Sequence, residues 1–148
     1  IRISHCYGAK EPKELKLATH ATYHLVLAWS LIASLVFILL RHDIPRLFTE
    51  NEEVIRITAD MMFFVALYQL WDGMQNVSVG ILRGLQDVKI IMPIAFVAYW
   101  LINMPAGYLL GITAQMGPSG FFLSYSFGLS AAALLMMWRI RRKIHTVV

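Results

Sequence analysis

Four apolar stretches constrain this chain more than anything else in it: residues 21–40, 61–82, 90–112 and 121–138. Each is close to the ~20 residues that a helix needs to cross about 30 Å of hydrocarbon. A soluble bundle would keep a polar face along every helix, and these stretches keep none. Hydrophobic residues make up 58% of the chain and charged residues 15%, against about 45–50% and 25% in soluble domains. The expected fold is therefore an all-α integral membrane protein with four transmembrane helices.

Charge placement orients the spans. The net charge is +4, and the cations cluster. Arg2, Lys10, Lys13 and Lys16 precede the first span, Arg83 and Lys89 join the second to the third, and Arg139, Arg141, Arg142 and Lys143 follow the fourth. The opposite side has Arg41, Arg46 and Arg56 offset by Asp43, Glu50, Glu52 and Glu53, and the uncharged loop "AQMGPS". With four crossings every cation-rich segment falls on one face, which the positive-inside rule makes cytoplasmic. Both ends of the segment are expected there. The basic tail "WRIRRKIH" reads as an anchor on anionic lipid and not as a nucleic-acid site. The single cysteine, Cys6, excludes an intrachain disulfide. The opening "IRISHCYG" lacks an initiator Met, and the chain is expected to be a piece of something longer.

Local signals divide the rest. Residues 1–9 read as the end of a preceding helix stopped at Gly8. "KEPKELKLATHATYH" reads as a short interfacial helix running into the first span, with Pro12 at its start. His20 and His24 have a metal-compatible spacing, but no third ligand lies nearby in sequence. Thr49 and Glu52 fit a capping box at the start of the second span, with acids in the first turn. Pro93 and Pro105 sit in the third span, where each removes a backbone hydrogen bond. Pro105 is either a fixed packing kink or a transport hinge. Gly80 with Gly84, and Gly107 with Gly111, have the spacing that permits close helix approach.

The second span also carries an acid, in "YQLWDGMQNVSVGILRG". If Arg83 snorkels to the inner boundary, Asp72 lies about 16 Å deeper along the helix, near the bilayer midplane. An acid at that depth costs about 2.5–3.5 kcal/mol or more. Gln69, Asp72, Asn76 and Gly80 share one helix face by 3–4 spacing, with Gln75 at its edge. That stripe is expected to face a protein interior or a wet cavity. Low dielectric favours the neutral form of a carboxyl, so occupancy by a proton or cation becomes conditional. The expectation is that Asp72 exchanges a proton or Na+ with a positively charged substrate. The alternative is an Asp that only fixes helix register. No second membrane acid, Cys/His cluster, nucleophile elbow or glycine-rich phosphate loop points to an enzyme. Ser124, Tyr125, Ser126 and Ser130 read as helix–helix hydrogen-bonding groups.

"LFTENEEVI", "ALYQLWDGMQNVSVGILRGLQD" and "AYWLINMPAGYLL", in this order and spacing, resemble the multidrug and toxic compound extrusion (MATE) family, above all its NorM-like bacterial branch. "RISHCYGA" resembles the close of the family's eighth helix, with Lys10 where a small residue is common. The resemblance implies that these are the last four helices of a twelve-helix, two-lobe transporter in the bacterial inner membrane. It implies export of cationic or amphiphilic compounds in exchange for Na+ or H+, with no cofactor. Asp72 matches the family's cation-binding aspartate, and Gln69 and Gln75 flank it as in the family; Asn76 enters on helix spacing alone. The N-terminal lobe is absent, so the segment alone is not expected to transport. Two other readings are a lipid-linked sugar flippase of the same superfamily, against which stands the lack of mid-membrane Lys or Arg, and a non-transporting membrane scaffold.

Overall fold

A computed structural model describes residues 2–113, 115 and 118–147. Its helices are α1 (Arg2–Gly8), α2 (Pro12–Leu39), α3 (Asp43–Arg46) and α4 (Glu52–Gly84), then a composite span and α7 (Pro118–Val147). The composite span, Val88–Thr113, contains α5 (Ile91–Phe96) and α6 (Met104–Gly107). Among the described residues four helices are long and apolar enough to cross a membrane: Pro12–Leu39, Glu52–Gly84, Val88–Thr113 and Ser119–Thr146. The fold is all-α, as the apolar stretches require. Of the loop "AQMGPS", Ala114, Met116 and Gly117 lie outside the described residues, as does Ile1 ahead of α1.

The helices run past the apolar stretches because hydropathy marks only what must lie in hydrocarbon. The interfacial stretch and the first span form one unbroken 28-residue helix with Pro12 in its first turn. Such a helix is about 42 Å long, which carries its polar first turns beyond the ~30 Å hydrocarbon core. The start of α4 differs from the expected capping box. Its N-cap is Asn51, whose Oδ1 accepts from the Glu53 and Val54 amides at 3.0 and 3.4 Å. Thr49 instead accepts from the Asn51 amide at 3.2 Å. "TENEE" offers two capping side chains, and the one adjacent to the first helical residue wins the orphan amides. Glu52 and Glu53 still occupy the first turn.

Two helix ends at the basic side close in the same way. The Glu11 amide donates to Cys6 O and that of Lys10 to Tyr7 O, and the Asp87 and Gln86 amides repeat the pattern on Leu82 and Arg83. These are Schellman closures, and their left-handed residues are Lys10 (φ 54) and Gln86 (φ 56). Glycine is the usual occupant of such a position. The small residue expected where Lys10 stands thus has a backbone reason.

α4 is the hub. It packs against α2 on one side and α7 on another, while α2 and α7 make few direct contacts. Tyr68 stacks on Phe122 toward one end, and the loop after α4 pairs Asp87 with Arg139 of α7 at 2.7 Å at the other. α4 and α7 therefore run in the same direction. At the basic end Cys6, Leu15, Leu82, Leu85, Ile140 and Ile144 bury one another, joining α1, α2, α4 and α7. All the cation-rich segments meet here, as charge counting predicted. The outward faces stay apolar and exposed, with Leu25 at 73% and Trp29 at 72%, which suits lipid contact. Trp138 lies under the Arg142 guanidinium at 4.1 Å, the kind of amphipathic aromatic found at membrane boundaries.

The α2–α4 contact is close for identifiable reasons. A Cβ on Gly73 would collide with Ser30 Oγ, so the helices touch where glycine meets serine. Around this point Ser34 Oγ donates to Ala66 O at 2.7 Å, and the Tyr23 and Ser78 hydroxyls bond at 2.7 Å. Hydroxyls and small residues are the usual cement between membrane helices.

Candidate functional site

The sequence-derived stripe lies in the middle of α4. Asn76 Nδ2 donates to Asp72 Oδ2 at 3.0 Å, one helical turn apart. Gln69 and Asp72 are half-buried and Asn76 is exposed. A carboxylate can accept about four hydrogen bonds, and among the described residues only Asn76 supplies one to Asp72. Acceptor capacity therefore remains for a proton, a cation or a cationic substrate.

Asn76 lines an open groove of about 640 Å³ with Arg2, Ile3, Thr22, Gly80 and Gly84. α1 occupies one end of it: a Cβ on Gly84 would stand 2.9 Å from Ile3, whereas one on Gly80 would meet nothing within 4 Å. The two glycines thus do different things. Gly84 admits α1, and Gly80 faces open space. Gly107 and Gly111 accept Ser124 and Phe121 of α7.

Gln75 departs from the stripe. Its Nε2 donates to Tyr99 Oη at 2.8 Å, and Tyr99 Oη donates to its Oε1 at 3.0 Å. Gln75 therefore ties α4 to the third span rather than joining Asp72. Tyr99 was not anticipated; its hint was a phenol in the apolar run "AFVAYWLIN" opposite a glutamine-bearing helix. Asn103, also unanticipated, accepts from Ser124 Oγ at 3.0 Å. Of the other polar groups in α7, Ser130 bonds to Phe127 of its own helix. Ser126 Oγ is buried without a partner among the described residues, and Tyr125 is exposed.

Pro105 lies in the first turn of α6. The span is π-helical on both sides of it, over Val97–Asn103 and Tyr108–Thr113. Proline has no amide hydrogen to give the preceding turn. The wide-register turn before it shows in the Met104 amide, which donates to Tyr99 O, five residues back. His20 and His24 line a separate groove that also includes His145. Among the described residues no group of three His, Cys, Asp or Glu is placed to hold a metal.

A model of the MatE family matches residues 1–109, most of the chain and all of the stripe. The chain belongs to the MatE family. Relatives at this level include the multidrug resistance protein NorM of Photobacterium profundum, 37% identical over 95% of this chain and 32% of its own length. The multidrug resistance protein MdtK of Photorhabdus laumondii subsp. laumondii is 35% identical over the same shares. MdtK of Yersinia pestis (strain Pestoides F) is 37% identical over 95% of this chain. The chain spans about a third of the length of these curated relatives. Among solved structures, the eukaryotic MATE transporter AtDTX14 superposes with a TM-score of 0.83 over 99% of this chain and 35% of its own, at 20% identity. That likeness establishes the MATE helix arrangement for these spans.

Proposed function

We propose that this chain is the C-terminal part of a secondary multidrug antiporter, its four spans completing a lobe whose counterpart lies outside the sequence. The transporter exports cationic or amphiphilic compounds in exchange for Na+ or H+. It lies in a bacterial inner membrane with both ends of this segment cytoplasmic. One observation carries the reading: Asp72, mid-way along an apolar spanning helix, has one neighbouring donor among the described residues, Asn76, which itself lines an open groove. An ionisable residue at such depth is a functional group by default. The multidrug-resistance names of the relatives agree with it. In this role the Asp72 carboxylate binds the proton or Na+ and releases it when a cationic substrate takes its place. Asn76 orients the carboxylate, Gln69 shares its helix face one turn away, and Gln75 holds the third span against α4 through Tyr99. Alternating access requires two halves rocking about a midplane site, so the activity belongs to the full-length protein.

The test is drug efflux from cells carrying that protein. Asp72→Asn keeps the size and the Asn76 contact but removes the exchangeable charge. Cation-coupled efflux should fall to background at equal expression, with drug sensitivity restored. Efflux at the wild-type rate would sink the coupling role.

A further inference from the structure

A second groove lies at the basic end, on the side of the bundle where α2 and α7 both lean on α4. It measures about 610 Å³, and its upper wall carries Lys16 and His20 of α2 with Arg141 and His145 of α7. Its deeper wall is Leu27, Met74 and Met137. Among the described residues no carboxylate lines it. The acids near this end that form ion pairs are engaged elsewhere, Glu14 on Arg2 and Asp87 on Arg139. Among the described residues neither Lys16 nor Arg141 has an ion-pair partner.

The groove has two chemistries in sequence along the membrane normal. Lys16 lies near the start of α2 and Arg141 near the end of α7, both at the basic belt. Met74, two residues from Asp72, places the inner end near mid-membrane. A soluble anion would use only the upper part and leave the methionines and Leu27 in contact with nothing of their own kind. A lipid matches both parts. Basic pockets between spanning helices on a cation-rich side suit anionic head groups, and flexible methionines suit an acyl chain of variable shape.

We infer that this groove binds one anionic phospholipid, with its phosphate between Lys16 and Arg141 and an acyl chain along Leu27, Met74 and Met137. The site is independent of the transport reading, because it uses neither Asp72 nor the groove beside Asn76. Bound there, the lipid bridges α2 and α7, which otherwise meet chiefly through α4.

The experiment uses the full-length protein, stripped of lipid and offered phosphatidylglycerol or phosphatidylcholine, with retained lipid counted by native mass spectrometry. Wild type should retain one phosphatidylglycerol in preference to phosphatidylcholine. Lys16→Gln with Arg141→Gln should weaken retention on the order of tenfold, since each cation near the surface attracts anionic lipid. Arg142→Gln, whose guanidinium sits on Trp138, should leave retention unchanged. Equal retention of both lipids, or undiminished retention by the double variant, overturns the proposal. So does displacement of the lipid by inorganic phosphate alone, which marks a free-anion site. A second measurement needs no variant. Phosphatidylglycerol with a photoreactive acyl chain should label the peptides bearing Met74 and Met137 in wild type. Labelling confined to the outward Leu25 and Trp29 face, as when another protein segment fills the groove, refutes it.

Discussion

Asp72 lies in the middle of α4 and Asp87 just beyond its end, and the two carboxylates differ in their partners. Asp87 is paired: Arg139 Nε donates to its Oδ2 at 2.7 Å, with its side chain 12% exposed. That hydrogen bond holds the Asp87 carboxyl below the usual carboxylate range; partial burial opposes it, and the charges of Arg139 and Lys143 add to it. A carboxyl with a lowered folded-state pKa contributes stability above its unfolded value, and the contribution is lost as pH falls through the lowered one. Asp87→Asn should therefore destabilise by about 1 kcal/mol at neutral pH, a modest figure because the Arg139 side is 37% exposed to screening. Thermal unfolding in detergent across pH checks this: the gap to wild type should close below the ordinary carboxylate range. A pH-independent gap would show that the ion pair is not its source. At this scale the sequence was informative where partners are one turn apart and silent where they are not. Asp72 and Asn76 follow from helix spacing alone. The partners of Gln75, Ser34 and Asp87 lie on other helices, and no periodicity within one segment reveals which side chain a crossing brings opposite. The cap at Asn51 was missed for a different reason, since "TENEE" satisfies two capping patterns and only backbone geometry chooses between them.

Among elements, the third span is where the sequence was least legible. Its length and apolarity showed that it crosses, and two prolines suggested a bend. The backbone widens into π register on either side of α6. Tertiary contacts accompany it: a Cβ on Gly128 would sit 2.8 Å from Asn103 Cβ, and Asn103 accepts from Ser124. π turns often mark functional positions, because wide-register hydrogen bonds can convert to α by rotating the residues beyond them. A hinge at Pro105 would use that conversion to move Tyr99, and with it Gln75, relative to Asp72. Pro105→Ala restores the missing donor and should favour continuous α register. Transport by the full-length protein should slow while its thermal stability holds or rises. Spin labels on the two ends of the span should report a narrower spread of distances. Unchanged transport together with a shifted register would assign Pro105 to packing alone.

For the whole molecule, the uncovered groove beside Asn76 says where the rest of the transporter belongs. α1 lies across Gly84 through Ile3 and ends at Arg2 beside the groove, with Gly80 and Asn76 further along α4. A helix continuing upstream from α1 would pass over Gly80 and bring its side chains to Asn76 and Asp72. Glycine at a helix contact permits backbones to approach closely, which explains a glycine whose added Cβ would meet nothing within 4 Å among the described residues. Relatives three times as long as this chain have the sequence to supply such a helix. Gly80→Leu should then behave differently in two settings. In the 148-residue chain the new side chain projects into open space and should leave thermal unfolding unchanged. In the full-length protein it would overpack the contact, which typically costs about 1–3 kcal/mol, and it would push the upstream helix away from Asp72. Destabilisation and loss of efflux are expected there together. Equal tolerance of Gly80→Leu in both settings would mean that the groove stays open to water or lipid in the complete transporter, and that the wall facing Asp72 comes from elsewhere.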